Sequence, residues 1–272
     1  MTIRLISTDL DNTLLTSTKQ ITDRTFAAIH DAHNAGLVMV VATGRYLASL
    51  PEALLETEID YGVISNGSLG YDFARHEVLF VELVDPKTQA QIVEALSARF
   101  PGVIFGATRN ISDVFCTDRS YVDMMPEREW LHDRRKFVFA DVATIISEPA
   151  IKLIARHRDI HQDVLLAYLN DSGLTGFHAS TSGAPFVEIA AAGVTKATGL
   201  ARICDRLGIQ QSEVIAVGDA KNDVEMLQWA GMGVAVENAV PEAKAAADLS
   251  IPPSDEDGWA RFIEHCLSQF AH

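Results

Sequence analysis

Apolar positions along the chain fall into two kinds of run, and their order predicts the architecture. Ile3 to Asp9, Leu37 to Ala42, Tyr61 to Ser65, Glu213 to Val217 and Gly233 to Val236 are short, mostly apolar stretches of strand length. Near-continuous runs of this kind suit parallel strands covered on both faces. The stretches between them carry helical spacing. One begins after Ile21-Thr22, turns Phe26, Ile29 and Ala32 or His33 inward, and stops at Gly36; another spans about Leu47 to Glu56. In the second half, Thr195 caps a helix running to Leu207 and closed by Gly208, followed by helices ending at Ala230, from Pro241 to Ala247, and from Trp259 to Phe270. Strand, helix, strand in alternation is the pattern of a right-handed doubly wound parallel α/β sheet.

The texture changes after Phe80. Pro86 to Phe100 is helical, but short β-like runs then mix with helix and polar patches: Val103 to Ala107, Ile151 to Ala155, a helix from Gln162 to Asn170, Gly176 to Ser180 and Phe186 to Ala190. We read this as an α+β domain inserted into the first, giving a core segment at 1–83, an insert at 84–185 and a second core segment at 186–272. The length of 272 residues fits one large domain with a smaller companion.

Composition narrows the function classes. With 48% hydrophobic and 22% charged residues the chain is of ordinary globular type. A formal charge of -15 argues against nucleic acid or anionic membrane as partner, since both need a basic face. The N-terminus enters its first strand without a leader pattern, and no apolar run is long enough to span a bilayer. Cys116, Cys204 and Cys266 are widely spaced and odd in number, which points to a reduced cytoplasmic protein.

Candidate chemistry collects at the carboxyl ends of the predicted strands. Asp9 and Asp11, then Thr43, then Asp219 with Asn222 and Asp223 each stand just beyond an apolar run, and Lys196 opens a helix. Parallel strands point the same way, so these ends converge on one rim, where open α/β sheets bind ligands. If strand geometry persists through Asp11, the two-residue period points both first-strand carboxylates to one side. The set offers a nucleophile, an acid/base, a hydroxyl, a fixed cation and further carboxylates, as Mg²⁺-dependent phosphoryl transfer to a carboxylate requires. A carboxylate approaching a phosphate dianion meets about 4 kcal/mol of repulsion per charge pair at about 4 Å, which metal and lysine must offset.

In order along the chain, Asp9-Leu10-Asp11-Asn12-Thr13-Leu14-Leu15, Ala42-Thr43-Gly44-Arg45, Gly193-Val194-Thr195-Lys196 and Gly218-Asp219-Ala220-Lys221-Asn222-Asp223 resemble the four motifs of the haloacid dehalogenase superfamily. The stretch Ala230 to Ala235 with Asn238-Ala239, and Asp255 to Gly258, is similar to its Cof-type sugar phosphatase branch, in which a large cap lies between the second and third motifs. The resemblance implies that Asp9 is the nucleophile that becomes aspartyl phosphate and that Asp11 protonates the leaving oxygen and then activates water. It implies Mg²⁺ held by Asp9, the Asp11 backbone carbonyl and Asp219, with Asp223 either supporting those ligands from behind or making a further metal contact. Thr43, Lys196 and Asn222 would contact the phosphoryl group, helped by backbone N–H groups near Leu10 and Gly44. Asn12 and Glu237 stand where the family often has Gly.

The expected function is therefore hydrolysis of small phosphorylated metabolites such as sugar phosphates. A phosphomutase would use the same nucleophile, and a non-catalytic phospho-receiver domain a similar residue set, although a receiver leaves the insert unexplained. The Arg and His residues of the insert, at His132 to Lys136 and Arg156 to His161, are either solvated surface or contacts for the leaving group. Nothing in the sequence fixes the oligomeric state.

Overall fold

The structure, a computed structural model, describes residues 3–125 and 135–270. Its strands run in chain order β1 Leu5–Thr8, β2 Val38–Ala42, β3 Tyr61–Ile64, β4 Leu69–Asp72, β5 Glu77–Val81, β6 Ile104–Arg109, β7 Val114–Thr117, β8 Lys136–Phe139, β9 Lys152–Arg156, β10 Phe177–Ser180, β11 Val187–Ala191, β12 Val214–Gly218, β13 Met232–Val236 and β14 Leu249–Ile251. The chain forms two compact units, one of Met1–Gly44, Leu50–Phe80 and Thr195–His272, the other of Arg45–Ser49 and Val81–Val194.

The first unit carries an eight-stranded sheet in the order β14-β13-β12-β1-β2-β3-β4-β5. Strands β14 to β3 are parallel to their neighbours, and β4 turns back antiparallel on β3. The continuous apolar runs have their expected consequence: Leu5, Ile6, Val40, Val41, Ala216 and Val217 are buried. Thr22 caps the helix Asp23–Asn34, accepting from the Thr25 N–H, and Ala28, Ile29 and Ala32 turn inward while His33 stays exposed. Register positions the site. Thr8 lies opposite both Val217 and Val41, so Asp9, Gly218 and Ala42 leave three adjacent strands in step.

The expected helix from Leu47 to Glu56 is broken. A 3₁₀ turn at Leu47–Ser49 and a short helix at Glu52–Leu55 flank Pro51, whose ring cannot sit inside a helix. Strands β4, β5 and β14 had no counterpart in the hydrophobic pattern: β5 and β14 are short and partly exposed, and β4, though buried, is only Leu69-Gly70-Tyr71-Asp72, too short and mixed to make an apolar run.

The second unit has a six-stranded sheet in the order β10-β11-β9-β6-β7-β8, antiparallel except for the parallel pair β7/β8. Ile92 and Leu96 from the helix Pro86–Arg99, and Leu165 and Leu169 from Gln162–Asp171, form one core with Leu153, Val187 and Ile189. The chain returns to the first unit for the last time after Val194, whereas the sequence suggested 185/186. The reason is β11, which hydrogen-bonds between β9 and β10 and so belongs to this sheet.

Of the basic patch His132 to Lys136, residues 132–134 lie outside the described residues, as does Trp130. Arg135 is not surface: its guanidinium lies 3.8 Å from the Tyr46 ring centroid and 4.2 Å from that of Phe115. No helix among the described residues is long and apolar enough to cross a membrane. The three cysteines are free, Cys116 and Cys204 buried.

Candidate active site

Asp9 continues β1 by one residue. Its N–H donates to the Val217 carbonyl at 2.9 Å, and its φ/ψ of -67/164 is still extended, so the side chain is set by the sheet. Beside it, Thr195 caps the helix Lys196–Leu207 with a reciprocal pair of hydrogen bonds to Thr198, and Gly208 closes that helix in the left-handed conformation at φ 62. Lys196 is thereby fixed in the first turn. Its Nζ donates to Asp9 Oδ1 and to Asp223 Oδ1, both at 2.6 Å, with the lysine 1% exposed.

Asp219 and Asp223 are placed by the turn after β12. Asp223 Oδ2 accepts the N–H groups of Asp219 at 3.0 Å and Ala220 at 2.9 Å. Gly218 makes this possible, because a Cβ there would lie 2.6 Å from Asp223 Cβ. Asp219 Oδ1 accepts from the Thr13 hydroxyl at 3.0 Å. Thr13 lies in the first motif but had no expected part; it ties that turn to the fourth motif. Carboxylate oxygens of Asp9, Asp219 and Asp223 all lie within 4.8 Å of one another.

Three buried carboxylates face one ammonium, and the electrostatics follow. Burial raises Asp9 well above the usual carboxylate range; Lys196 opposes this, while Asp223, Asp219 and Asp11 add to it. Burial and Asp223 push Asp219 up to about 6. Burial works against the charge on Lys196, but Asp223 and Asp9 outweigh it and hold the ammonium charged beyond its ordinary range. A divalent cation among the three carboxylates would close the charge balance, and hard oxygen donors are the ligands Mg²⁺ takes. The donor set therefore fits that ion.

Asp11 departs from expectation. The strand ends before it: Leu10–Leu14 forms a tight turn in which the Leu15 N–H donates to the Leu10 carbonyl at 2.8 Å. The Asp11 carboxylate pairs with Lys19 at 3.0 Å, and its side chain is not one of the three that cluster. Asn12 takes φ 61, a left-handed conformation that Asn tolerates nearly as Gly does, which explains its presence at a position often Gly. Leu10 is fully buried.

The remaining residues meet through the turn Asn66-Gly67, which the sequence marks as a turn after the third strand but to which it gave no part in the site. Thr43 is 1% exposed; its N–H donates to the Val63 carbonyl at 2.8 Å and its carbonyl accepts the Asn66 N–H at 2.9 Å. Asn222 Nδ2 donates to Asn66 Oδ1 at 2.9 Å. Gly44 follows Thr43 directly. The signal for Asn66 was there: it stands just beyond the apolar run of β3, as Thr43 does beyond β2.

A parallel α/β unit thus gathers a lysine and three carboxylates beyond adjacent strand ends. Comparison with known proteins gives the family. A family model described as haloacid dehalogenase-like hydrolase matches residues 6–263, and the chain belongs to that family, in its Cof-type branch. It is an enzyme, a phosphoric monoester hydrolase. It is 27% identical over 278 residues to 5-amino-6-(5-phospho-D-ribitylamino)uracil phosphatase YitU of Bacillus subtilis, covering 97% of each chain. Identity to pyridoxal phosphate phosphatase YbhA of Escherichia coli is 27% over 274 residues, covering 97% of this chain and 98% of YbhA. A solved subclass IIB sugar phosphatase of the superfamily shares the fold with a TM-score of 0.83 at 24% identity, covering 96% of this chain and 98% of its own.

Proposed function

We propose that this enzyme hydrolyses small phosphorylated metabolites through an aspartyl-phosphate formed on Asp9. The observation that carries the reading is the buried Asp9 carboxylate, 2.6 Å from Lys196 and clustered with Asp219 and Asp223. Mg²⁺, held by Asp9, Asp219, the Asp11 carbonyl and Asp223, would draw charge from the phosphoryl oxygens and so lower the repulsion against an attacking carboxylate.

The side chains divide the remaining work. Lys196 favours the ionised form of Asp9 against burial and orients its carboxylate, and its fixed charge favours the incoming dianion. Asp9 attacks phosphorus, and the bond to the leaving oxygen breaks. Asp11 gives that oxygen a proton, then takes one from the water that attacks the phosphoryl group and frees Asp9. Because Asp11 is paired with Lys19 across a half-exposed contact, its carboxyl must turn toward the substrate to act. Thr43, Asn222 and the backbone N–H groups of Leu10 and Gly44 bind the phosphoryl oxygens.

The two enzymes named above act on small phosphate esters, which supports a metabolite as substrate. Within the second unit, Arg156, His157, Arg158 and His161 line a cavity of about 440 Å³, a size suited to a polar small molecule. The free cysteines support a reducing cytoplasmic location. The test is a phosphate-release panel of sugar phosphates, cofactor phosphates, nucleotides and a phosphopeptide with Mg²⁺. Multiple turnovers on metabolites support the reading; isomerised phosphate esters without phosphate release would mean a mutase, and a tenfold preference for the phosphopeptide would overturn the substrate class.

A further inference from the structure

We infer that Asn66 is a positioning residue of the active site, aiming Asn222 through its side chain while its turn locks Thr43 and Lys196 into one frame. This rests on the phosphoryl-transfer reading and adds a fifth segment to the four that carry it.

Three contacts converge on the turn Ser65–Gly67. The Asn66 N–H donates to the Thr43 carbonyl at 2.9 Å, which sets the backbone of the second motif. Gly67, at φ 102, packs so closely on the cap of the lysine helix that a Cβ there would lie 2.1 Å from the Thr195 carbonyl oxygen; from the other side, a Cβ on Gly199 would lie 2.9 Å from Gly67 Cα. The Asn66 side chain, 5% exposed, accepts from Asn222 Nδ2 at 2.9 Å.

The third contact carries the functional content. Asn222 Oδ1 is buried and has no hydrogen-bond partner. The bond to Asn66 therefore fixes the plane of the Asn222 amide, and with it the direction of the second Nδ2 hydrogen. An amide free to rotate would hydrogen-bond a phosphoryl oxygen only part of the time. Asn66 itself sits at φ 59, where Asn is one of the few side chains at ease, so backbone and side-chain roles select the same residue.

The test is a double-variant cycle on kcat/KM for a simple phosphate ester, using Asn66→Gly, which keeps the left-handed backbone and removes only the amide, together with Asn222→Ala and the double variant. Asn66→Gly should lose about tenfold, the usual worth of one hydrogen bond of this kind. The double variant should fall no further than Asn222→Ala alone, because the two residues act as one. Losses that multiply would leave Asn66 as scaffold only and overturn the inference. The same cycle read by binding of inorganic phosphate, in the presence of Mg²⁺, must show the same coupling; additive losses there also contradict it. If Asn66→Gly fails to fold, Asn66→Ser carries the same expectation, its hydroxyl being too short to reach Asn222. Absence of phosphate release by the unaltered enzyme would count against the hydrolase reading instead, and the binding cycle would still decide Asn66.

Discussion

Lys196 Nζ sits 2.6 Å from Asp9 Oδ1 in a site where both residues are buried. The pair is doubly bound to function and fold, since the same ammonium also holds Asp223. Lys196→Ala should abolish turnover and, at neutral pH without metal, cost about 3–5 kcal/mol of stability, as breaking a buried pair from one side does. The stability loss should shrink in acid, where Asp9, its carboxyl raised by burial, takes up a proton and no longer needs the cation. Denaturant unfolding of both proteins across pH measures this; an equal loss at every pH would contradict it.

The carboxylate cluster sets a pH dependence of its own. Asp219 titrates at about 6 in the folded protein against an ordinary value of 3.8. Between those values the folded protein keeps a proton that the unfolded chain has lost, so metal-free stability is fullest below the lower value. It falls as pH rises through the higher one, by at most about 1.4 kcal/mol per pH unit for one proton. Mg²⁺ competes with that proton. The gain in Tm on adding Mg²⁺ should accordingly be larger at pH about 7.5 than at about 5, and a gain that shrinks with pH would be the wrong sign.

Gly67→Ala tests the contact between the turn and the lysine helix. Added carbon has no room against the Thr195 carbonyl, and φ 102 strains any L side chain. Stability should drop by about 1–3 kcal/mol, with a shift of the denaturant midpoint and a loss of activity. An unchanged midpoint would show that helix and turn are not coupled.

Asp11→Asn should lower kcat by about 10²–10⁴-fold while leaving binding of inorganic phosphate intact, because it removes proton transfer and no fixed contact in the carboxylate cluster. A wild-type rate would move the acid/base role elsewhere.

How legible this was differs from element to element. The apolar runs of β1, β2, β12 and β13 and the helix from Thr195 to Gly208 could be read directly, because buried parallel strands and capped helices write strong local patterns. Asp9, Asp219 and Asp223 followed from strand ends that must share a rim, and Lys196 from the first turn of a capped helix and the family resemblance. What the sequence hid depends on nonlocal pairing. Nothing local announces that β11 joins β9 and β10 and so moves the return to the first unit to 194/195; Pro51, by contrast, is a local signal, and it overrides the continuous apolar spacing around it. The strand-period argument for Asp11 failed because the turn begins at Leu10, one residue after the sheet lets go, and Lys19 then captures the carboxylate. Asn66 was visible as a turn residue, but its contact with Asn222 spans 156 positions and appears only when the chain is folded.

The most direct test of Asp9 as phosphoryl acceptor is rapid-quench mass analysis of the peptide containing it, from unaltered enzyme mixed with a phosphorylated metabolite and Mg²⁺, alongside Asp9→Asn. The unaltered enzyme should carry one phosphoryl group on Asp9 at early times and release phosphate steadily, and the variant should do neither while keeping its fold. Steady phosphate release by Asp9→Asn, or a phosphoryl group found on another residue, would contradict the assignment.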